Sequence, residues 1–468
     1  MKKKQTKIVA TISDRRCDPD FIRSLFLEGM NVVRLNTAHQ SPAESLKVVE
    51  SVRSVSNDIA IMLDTKGPEV RTCCMDEKLQ VTEGEEVFFG EVPAGKKGLT
   101  ASYPHFVKDI PVDARILIDD GAVSLLVINK SAKTLVCRVE NSGEIGNKKS
   151  INVPGVHLNL PTLSDKDREY IDFAIEHDID FIAHSFVRSK EDLNQIQEIL
   201  DAKKSKVKII AKLENREGVE NLKQILKHCA GVMIARGDLG IEIPAEEVPT
   251  IQKQIIRTCT KRAKPVITAT QLLHSMIEAP RPTRAEVSDV ANAIYDGTDA
   301  VMLSGESAYG KYPVEAVRYM SKIARKVESQ KAKLTDLPVF KGRHKVRNYL
   351  AKAAVSAALE LPVNSMVIDC DTGRSARVVS AYRGHMPIYA KAGTRRVVRE
   401  LALSFGVYPS YMEMPSTTDE MVRRSLETLL ESGDLHREDM VVVLAGTPGV
   451  SDGSDFIEIN TVTKILGK

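Results

Sequence analysis

Val207-Lys208-Ile209-Ile210-Ala211-Lys212-Leu213-Glu214 decides the fold. Its apolar run, Val207–Leu213, is short and bounded by polar residues, which predicts a buried strand, and it closes on two charged side chains. Runs of the same kind recur at Lys7–Ile12, Asn31–Asn36, Ala60–Asp64, Phe181–Phe186, Gly231–Ala235, Pro265–Thr270 and Ala300–Leu303. Between them lie stretches of helical periodicity: Asp18–Gly29, Ser41–Val55, Asp165–His177, Glu191–Ala202, Val219–Cys229, Pro249–Ala263, Arg284–Asp296 and Pro313–Glu328. Strands alternating with helices eight times predict a parallel (β/α)8 TIM barrel in an α/β protein.

Two features depart from a plain barrel. The third and fourth strands are separated by far more chain than one helix needs. Within that gap Glu86–Phe89, Arg115–Ile118, Val123–Val127 and Thr134–Val139 look like strands between Gly- and Asp-rich turns. They predict a small inserted β-barrel domain over 67–153, on the mouth where barrel enzymes carry their chemistry, with 1–66 and 154–330 forming the catalytic barrel. Ser329–Arg343 is charged and turn-rich and reads as a linker. Beyond it, helix Tyr349–Leu359 and strands Ser365–Ile368, Pro387–Tyr389, Met440–Leu444 and Phe456–Asn460 predict a C-terminal α/β domain over 331–468.

The 468 residues carry 66 Lys+Arg against 63 Asp+Glu, a net charge of +3. No global field singles out nucleic acid or an anionic membrane, so any attraction for a phosphorylated substrate is local. Seven cysteines, with Cys73 and Cys74 adjacent and no Cys-x-x-Cys pair, argue against a disulfide framework or a zinc site and for a reducing cytoplasm. The basic N-terminus lacks the apolar segment of a secretory signal, and no run approaches the ~20 apolar residues of a membrane span.

A (β/α)8 barrel keeps its reactive groups at the C-terminal ends of its strands. Here those ends read Arg34-Leu35-Asn36, Asp64-Thr65-Lys66, Lys212-Leu213-Glu214, Arg236-Gly237-Asp238, Thr268-Ala269-Thr270-Gln271 and Ser304-Gly305-Glu306. Lys212 and Glu214 are two apart and share a face of an extended strand. Asp238, expected at the end of the next strand, points into the same mouth. Two carboxylates there suit a hard divalent cation, Mg2+ or Mn2+, with room for substrate oxygens. The neighbouring lysine puts positive charge where a transferring phosphoryl group spreads its negative charge. One charged strand end is ordinarily solvated or ion-paired, but charge at nearly every end wastes desolvation unless ligands join it. Gly305–Lys311 matches G-x-x-x-x-G-K, but Tyr312 stands where a phosphate-binding loop needs Ser or Thr.

Nearly the whole chain resembles the pyruvate kinase family. The resemblance is carried by MNVVRLNTAH (Met30–His39), LDTKGPEVRT (Leu63–Thr72), IDDGAVSL (Ile118–Leu125) and NVPGVHLNLPTLSDKD (Asn152–Asp167). It continues in AKLENREGVEN (Ala211–Asn221), ARGDLGIEIP (Ala235–Pro244), ATQLLHSM (Ala269–Met276), PRPTRAEVSDVANA (Pro280–Ala293) and MLSGESA (Met302–Ala308). It implies phosphoryl transfer from phosphoenolpyruvate to ADP, with Mg2+ (or Mn2+) and K+ as cofactors.

Residue by residue, it implies that Glu214 and Asp238 hold the divalent ion with the substrate, that Lys212 stabilises the phosphoryl in flight and that Arg34 grips the substrate phosphate. Gly237 and Thr270 help hold the carboxylate. Asn36, His39, Arg71 and Lys149 belong to the nucleotide site, and Thr270, near Ser304 and Glu306, is a route for protonating the enolate. Asn36, Asp64 and the Thr65 carbonyl match the potassium ligands, but Ala38 stands where the family usually has Ser and removes one hydroxyl. Glu69 matches potassium-requiring members, whereas potassium-independent ones carry Lys there. The inserted domain would be a lid closing on the nucleotide, Asp371-Thr372-Gly373-Arg374-Ser375 would cradle the phosphate of an allosteric effector, and the assembly would be a homotetramer.

Two alternatives stand beside this. A metal-dependent lyase or aldolase acting on a pyruvate enolate would share the carboxylate pair but has no need of a nucleotide lid, Arg71 or Lys149. A catalytically dead regulatory relative would have lost Lys212, Glu214 or Asp238, and all three are present.

Overall fold

The computed structural model describes residues 3–330, 340, 344–446 and 454–467. Eight parallel strands close into a barrel: β1 (Lys7–Thr11), β2 (Val32–Asn36), β3 (Ala60–Asp64), β4 (Phe181–His184), β5 (Lys208–Leu213), β6 (Gly231–Ala235), β7 (Val266–Ala269) and β8 (Ala300–Leu303). Each pairs in parallel with its neighbours, and β8 pairs with β1 to complete the ring. Period-two alternation divides their side chains. Val32, Ala60, Met62, Ala183, Ile210, Met233 and Ile267 fill the interior, whereas Val33, Leu35, Ile61, Leu63, Ile209 and Val232 pack against the surrounding helices. Continuing the inward parity toward the C-terminal end brings Arg34 and Asn36, Asp64, Ser185, then Lys212 and Glu214 to the mouth.

Helix starts follow local chemistry. Ser41, Ser164, Ser189 and Thr283 cap their helices, each in a reciprocal capping box with an acidic residue three positions on. The predicted helix Val219–Cys229 is instead two helices, Arg216–Glu220 and Leu222–His228, meeting at Asn221. Asn221 donates its side-chain amide to the Arg188 carbonyl, so a tertiary bond interrupts the apolar periodicity.

After β3 the chain leaves the barrel to build a second closed barrel of seven strands between Val70 and Asn152, with its own core around Val87, Phe89, Ile116, Leu125 and Leu135. The C-terminal unit is a five-stranded sheet in the order Val407–Tyr411, Ile388–Ala392, Val363–Cys370, Met440–Ala445, Phe456–Thr461, parallel except for the last strand. Val407–Tyr411 was not predicted; Pro409 and the polar residues around it hide an edge strand. Buried ion pairs clasp this sheet to the base of the barrel, Arg399 to Asp180 at 2.6 Å and Arg383 to Asp299 at 2.6 Å. Of the predicted linker, Ser329 and Gln330 finish helix Pro313–Gln330; residues 331–339 and 341–343 lie outside the described residues. Among the described residues no helix is long and apolar enough to cross a membrane.

Candidate active site

At the mouth, Lys212 Nζ lies 2.9 Å from Glu214 Oε1, 3.0 Å from Asp64 Oδ1 and 2.6 Å from Ser185 Oγ. Asp64 is shared: its other oxygen accepts from Arg34 Nε at 2.6 Å, and Arg34 also donates to Thr11 Oγ1. Glu214 accepts from the Phe186 backbone N–H at 2.6 Å and lies near enough to Asp238 for that carboxylate's charge to act on it. Arg34, Asp64, Lys212, Glu214 and Asp238 are thus one connected cluster, and Asp64, Lys212 and Glu214 within it are almost wholly buried.

The charges do not balance evenly. Burial alone would lower the Lys212 pKa, but Asp64 and Glu214 outweigh it and hold the ammonium above its ordinary range. Burial likewise opposes ionisation of Asp64, yet Arg34 and Lys212 hold its carboxyl below the usual value. Burial, with the charge of Asp238 added, outweighs Lys212 and the Phe186 N–H and pushes Glu214 up to about 7. Burial raises Asp238 too, and Asp120 and Glu69 of the inserted domain add to the rise. The surplus negative charge therefore sits on the Glu214–Asp238 pair, against which the inserted domain brings further carboxylates.

Asp238 corrects one expectation: Arg236-Gly237-Asp238 does not extend β6 but forms the first turn of helix Arg236–Glu242. Arg236 anchors that turn. It forks onto Asp289 at 2.8 and 2.7 Å and donates to the carbonyls of Ala269 and Thr270. Gly237 N–H donates to Thr270 Oγ1 at 2.8 Å. Thr270 and Gln271 have φ of +67° and +54°, a region β-branched residues rarely enter, and these bonds hold the strained turn open toward the mouth. Glu306 is buried and accepts from the backbone N–H groups of Leu273 and Ser304, bracing the same loop.

Asn36 sits opposite Asp64 in the β2–β3 register, and the Thr65 carbonyl accepts from Ser185 Oγ at 2.6 Å. His39 is exposed in the turn after β2, its N–H bonded to the Asn36 carbonyl. Arg71 and Lys149 lie at the two ends of the inserted domain, each neutralised within it. Arg71 pairs with Glu69 at 2.6 Å and donates to the Lys148 carbonyl, and Lys149 pairs with Asp119 at 2.7 Å. Four groups with a clear part in this geometry escaped sequence reading: Ser185, the Phe186 N–H, Arg236 as an anchor, and Asp289. Ser185 carried the one available signal, its inward parity on β4.

Fold and site together define a class: a (β/α)8 barrel with an inserted β-barrel and a buried lysine–carboxylate cluster at its mouth. The family description "Pyruvate kinase, barrel domain" matches residues 3–317, and "Pyruvate kinase, alpha/beta domain" matches 348–460. A protein of Borreliella burgdorferi named pyruvate kinase is 47% identical over 465 residues, covering 98% of each chain. Pyruvate kinases of Geobacillus stearothermophilus and Bacillus licheniformis are 42% and 41% identical, covering 100% and 99% of this chain and 82% of each relative. The chain belongs to the pyruvate kinase family. Its activity is the transfer of a phosphoryl group from phosphoenolpyruvate to ADP, giving pyruvate and ATP, and the relatives give the lyase alternative no support.

Proposed function

We propose that this activity is carried by Lys212, with Arg34 gripping the phosphate of phosphoenolpyruvate and the Gly237–Thr270 turn receiving its carboxylate. What supports this most is the fixing of the Lys212 ammonium by three partners at 2.6–3.0 Å. As the phosphoryl group leaves the enol oxygen for the terminal phosphate of ADP, its equatorial oxygens gather negative charge. An ammonium already aimed there meets that charge without reorganising. Asn36, His39, Arg71 and Lys149 would bind the nucleotide, the last two by exchanging Glu69 and Asp119 for its phosphates as the inserted domain closes as a lid. Thr270 now donates its hydroxyl to the Ala269 carbonyl at 2.7 Å and would turn to deliver a proton to the enolate carbon.

Glu214 and Asp238 fit a hard divalent ion, Mg2+ or Mn2+. They are two crowded carboxylates, Glu214 buried and Asp238 half-buried, without enough positive charge beside them, and a cation relieves the repulsion that helps push Glu214 up. Among the described residues no third His, Cys, Asp or Glu completes a cluster, which leaves positions for substrate oxygens. When bound, the ion supplies positive charge to the substrate oxygens. Asn36, Asp64 and the Thr65 carbonyl offer oxygens suited to K+, and Ala38 adds none. A phosphorylated effector is favoured by a cavity of about 580 Å³ between the base of the barrel and the C-terminal sheet. Lys206, Lys227, Arg262, Arg374 and Arg377 are among the cations lining it, against the single carboxylate of Glu400. Arg374 belongs to the Asp371–Ser375 turn; Ser375 itself is bonded to Ser454. The reducing cytoplasm fits seven free cysteines. A homotetramer fits the edge strand Phe456–Thr461, beside which Val346 and Tyr349 of the neighbouring helix are exposed.

The test is pyruvate release from phosphoenolpyruvate with and without ADP, Mg2+ and K+. Turnover should need all three. Release without ADP would contradict the assignment.

A further inference from the structure

Five of the seven cysteines, Cys17, Cys137, Cys229, Cys259 and Cys370, are buried; Cys73 is half-buried and Cys74 exposed. These last two are consecutive, at the end of strand Val70–Cys73 of the inserted domain. A disulfide between them is disfavoured. Consecutive Cα atoms across a trans peptide lie about 3.8 Å apart, inside the roughly 4.4–6.8 Å that a relaxed disulfide spans. Burial and the neighbouring thiol also raise the Cys73 pKa, keeping it a thiol. A third atom set between the two sulfurs enlarges the ring and removes the mismatch. Among the described residues no group of three His, Cys, Asp or Glu side chains could hold a metal, so a four-ligand zinc site has no donors here. A two-sulfur chelate suits a soft, thiophilic centre instead.

We propose that Cys73 and Cys74 form a dithiol site for trivalent arsenicals, and that its occupation weakens ADP binding through the strand that carries Arg71. The bond changes balance without an oxidant. An arsenical R–As(OH)2 loses two As–O bonds and the thiols lose two S–H bonds; two As–S bonds form, two waters leave, and arsenic stays trivalent. The coupling runs through Thr72, which lies between Arg71 and Cys73. Thr72 N–H donates to the Lys149 carbonyl at 2.8 Å, Lys149 N–H donates to Thr72 Oγ1 at 2.8 Å, and Thr72 Oγ1 donates to the Gly146 carbonyl at 2.8 Å. A clamp on the next two residues therefore pulls on the backbone that positions Lys149. This coupling rests on the assignment of Arg71 and Lys149 to the nucleotide; the dithiol site does not.

The probe is phenylarsine oxide, added to the full-length enzyme and read by intact mass and steady-state kinetics. One arsenical per chain should bind, be released by a dithiol but not by a monothiol, and disappear in Cys73→Ser and in Cys74→Ser. The adduct should raise the KM for ADP about three- to tenfold, with the KM for phosphoenolpyruvate within twofold, and neither variant should show the rise. An adduct that survives both substitutions overturns the site. An adduct at Cys73–Cys74 that leaves the KM for ADP unmoved overturns the coupling.

Discussion

Ser185→Ala removes one oxygen from the mouth of the barrel and leaves every charge in place. That hydroxyl accepts from Lys212 Nζ at 2.6 Å and donates to the Thr65 carbonyl at 2.6 Å. Lys212 keeps Asp64 and Glu214, so it stays charged, but both remaining partners lie to its carboxylate side and the ammonium is free to sink toward them. A hydrogen bond to a charged group is worth about 1.5–3 kcal/mol. Expressed in the transition state alone, that is roughly 10- to 150-fold in rate. The expected result is a kcat lowered by about 10- to 100-fold with the KM for phosphoenolpyruvate within threefold, because Arg34 still grips the phosphate. The assay is coupled pyruvate formation at saturating ADP, Mg2+ and K+, with a melting curve to show an intact fold. A kcat within twofold of the unmutated enzyme would refute the claim that Ser185 positions Lys212.

Asp238→Asn keeps the side-chain shape and removes one charge from the carboxylate pair, so the Mg2+ needed for half-maximal activity should rise at least tenfold; an unchanged titration would remove Asp238 from the site. Glu69 is paired with Arg71 and also presses on Asp238. Replacing it as Glu69→Lys should make activity largely indifferent to K+, whereas Ala38→Ser should lower the K+ requirement by restoring a hydroxyl; three superimposable K+ titrations would contradict both. His184 is buried beside Thr65, and burial lowers its pKa to about 4 from an ordinary 6.5. The folded state then binds fewer protons than the unfolded one. The stability this gives is complete above pH 6.5 and lost as pH falls through about 4, on the order of 3 kcal/mol. His184→Gln should flatten the melting temperature between pH 7 and 4 relative to the unmutated protein, and parallel curves would contradict this.

The barrel was legible because each strand is a short apolar run that must be buried on both faces, a pattern that hardly depends on distant residues. Arg34, Asp64, Lys212 and Glu214 were legible for a related reason: inward parity and charge coincide at a strand end, where only function repays the desolvation. Asp238 was recognised as a candidate but set on the wrong element, because Gly237's bond to Thr270, which shapes the turn, comes from another strand. Ser185 and Asp289 were missed because a serine and a solvent-side aspartate look ordinary in sequence. Their parts arise from Lys212 and Arg236, 27 and 53 residues away. Arg71 and Lys149 were singled out, but not the ion pairs that hold them: Glu69 is a near neighbour of Arg71 in sequence, whereas Asp119 reaches Lys149 only through the closed β-barrel.

The central claim, that the fixed Lys212 ammonium carries the transfer, is tested most directly by comparing single-turnover phosphoryl transfer in the unmutated enzyme and in Lys212→Met. The variant keeps the apolar stem and deletes the charge that Asp64 and Glu214 surround at 3.0 and 2.9 Å. Transfer from phosphoenolpyruvate to ADP should slow by roughly 10³-fold or more while phosphoenolpyruvate still binds within a few-fold of its normal affinity. Transfer at a near-normal rate, with only substrate affinity reduced, would contradict it.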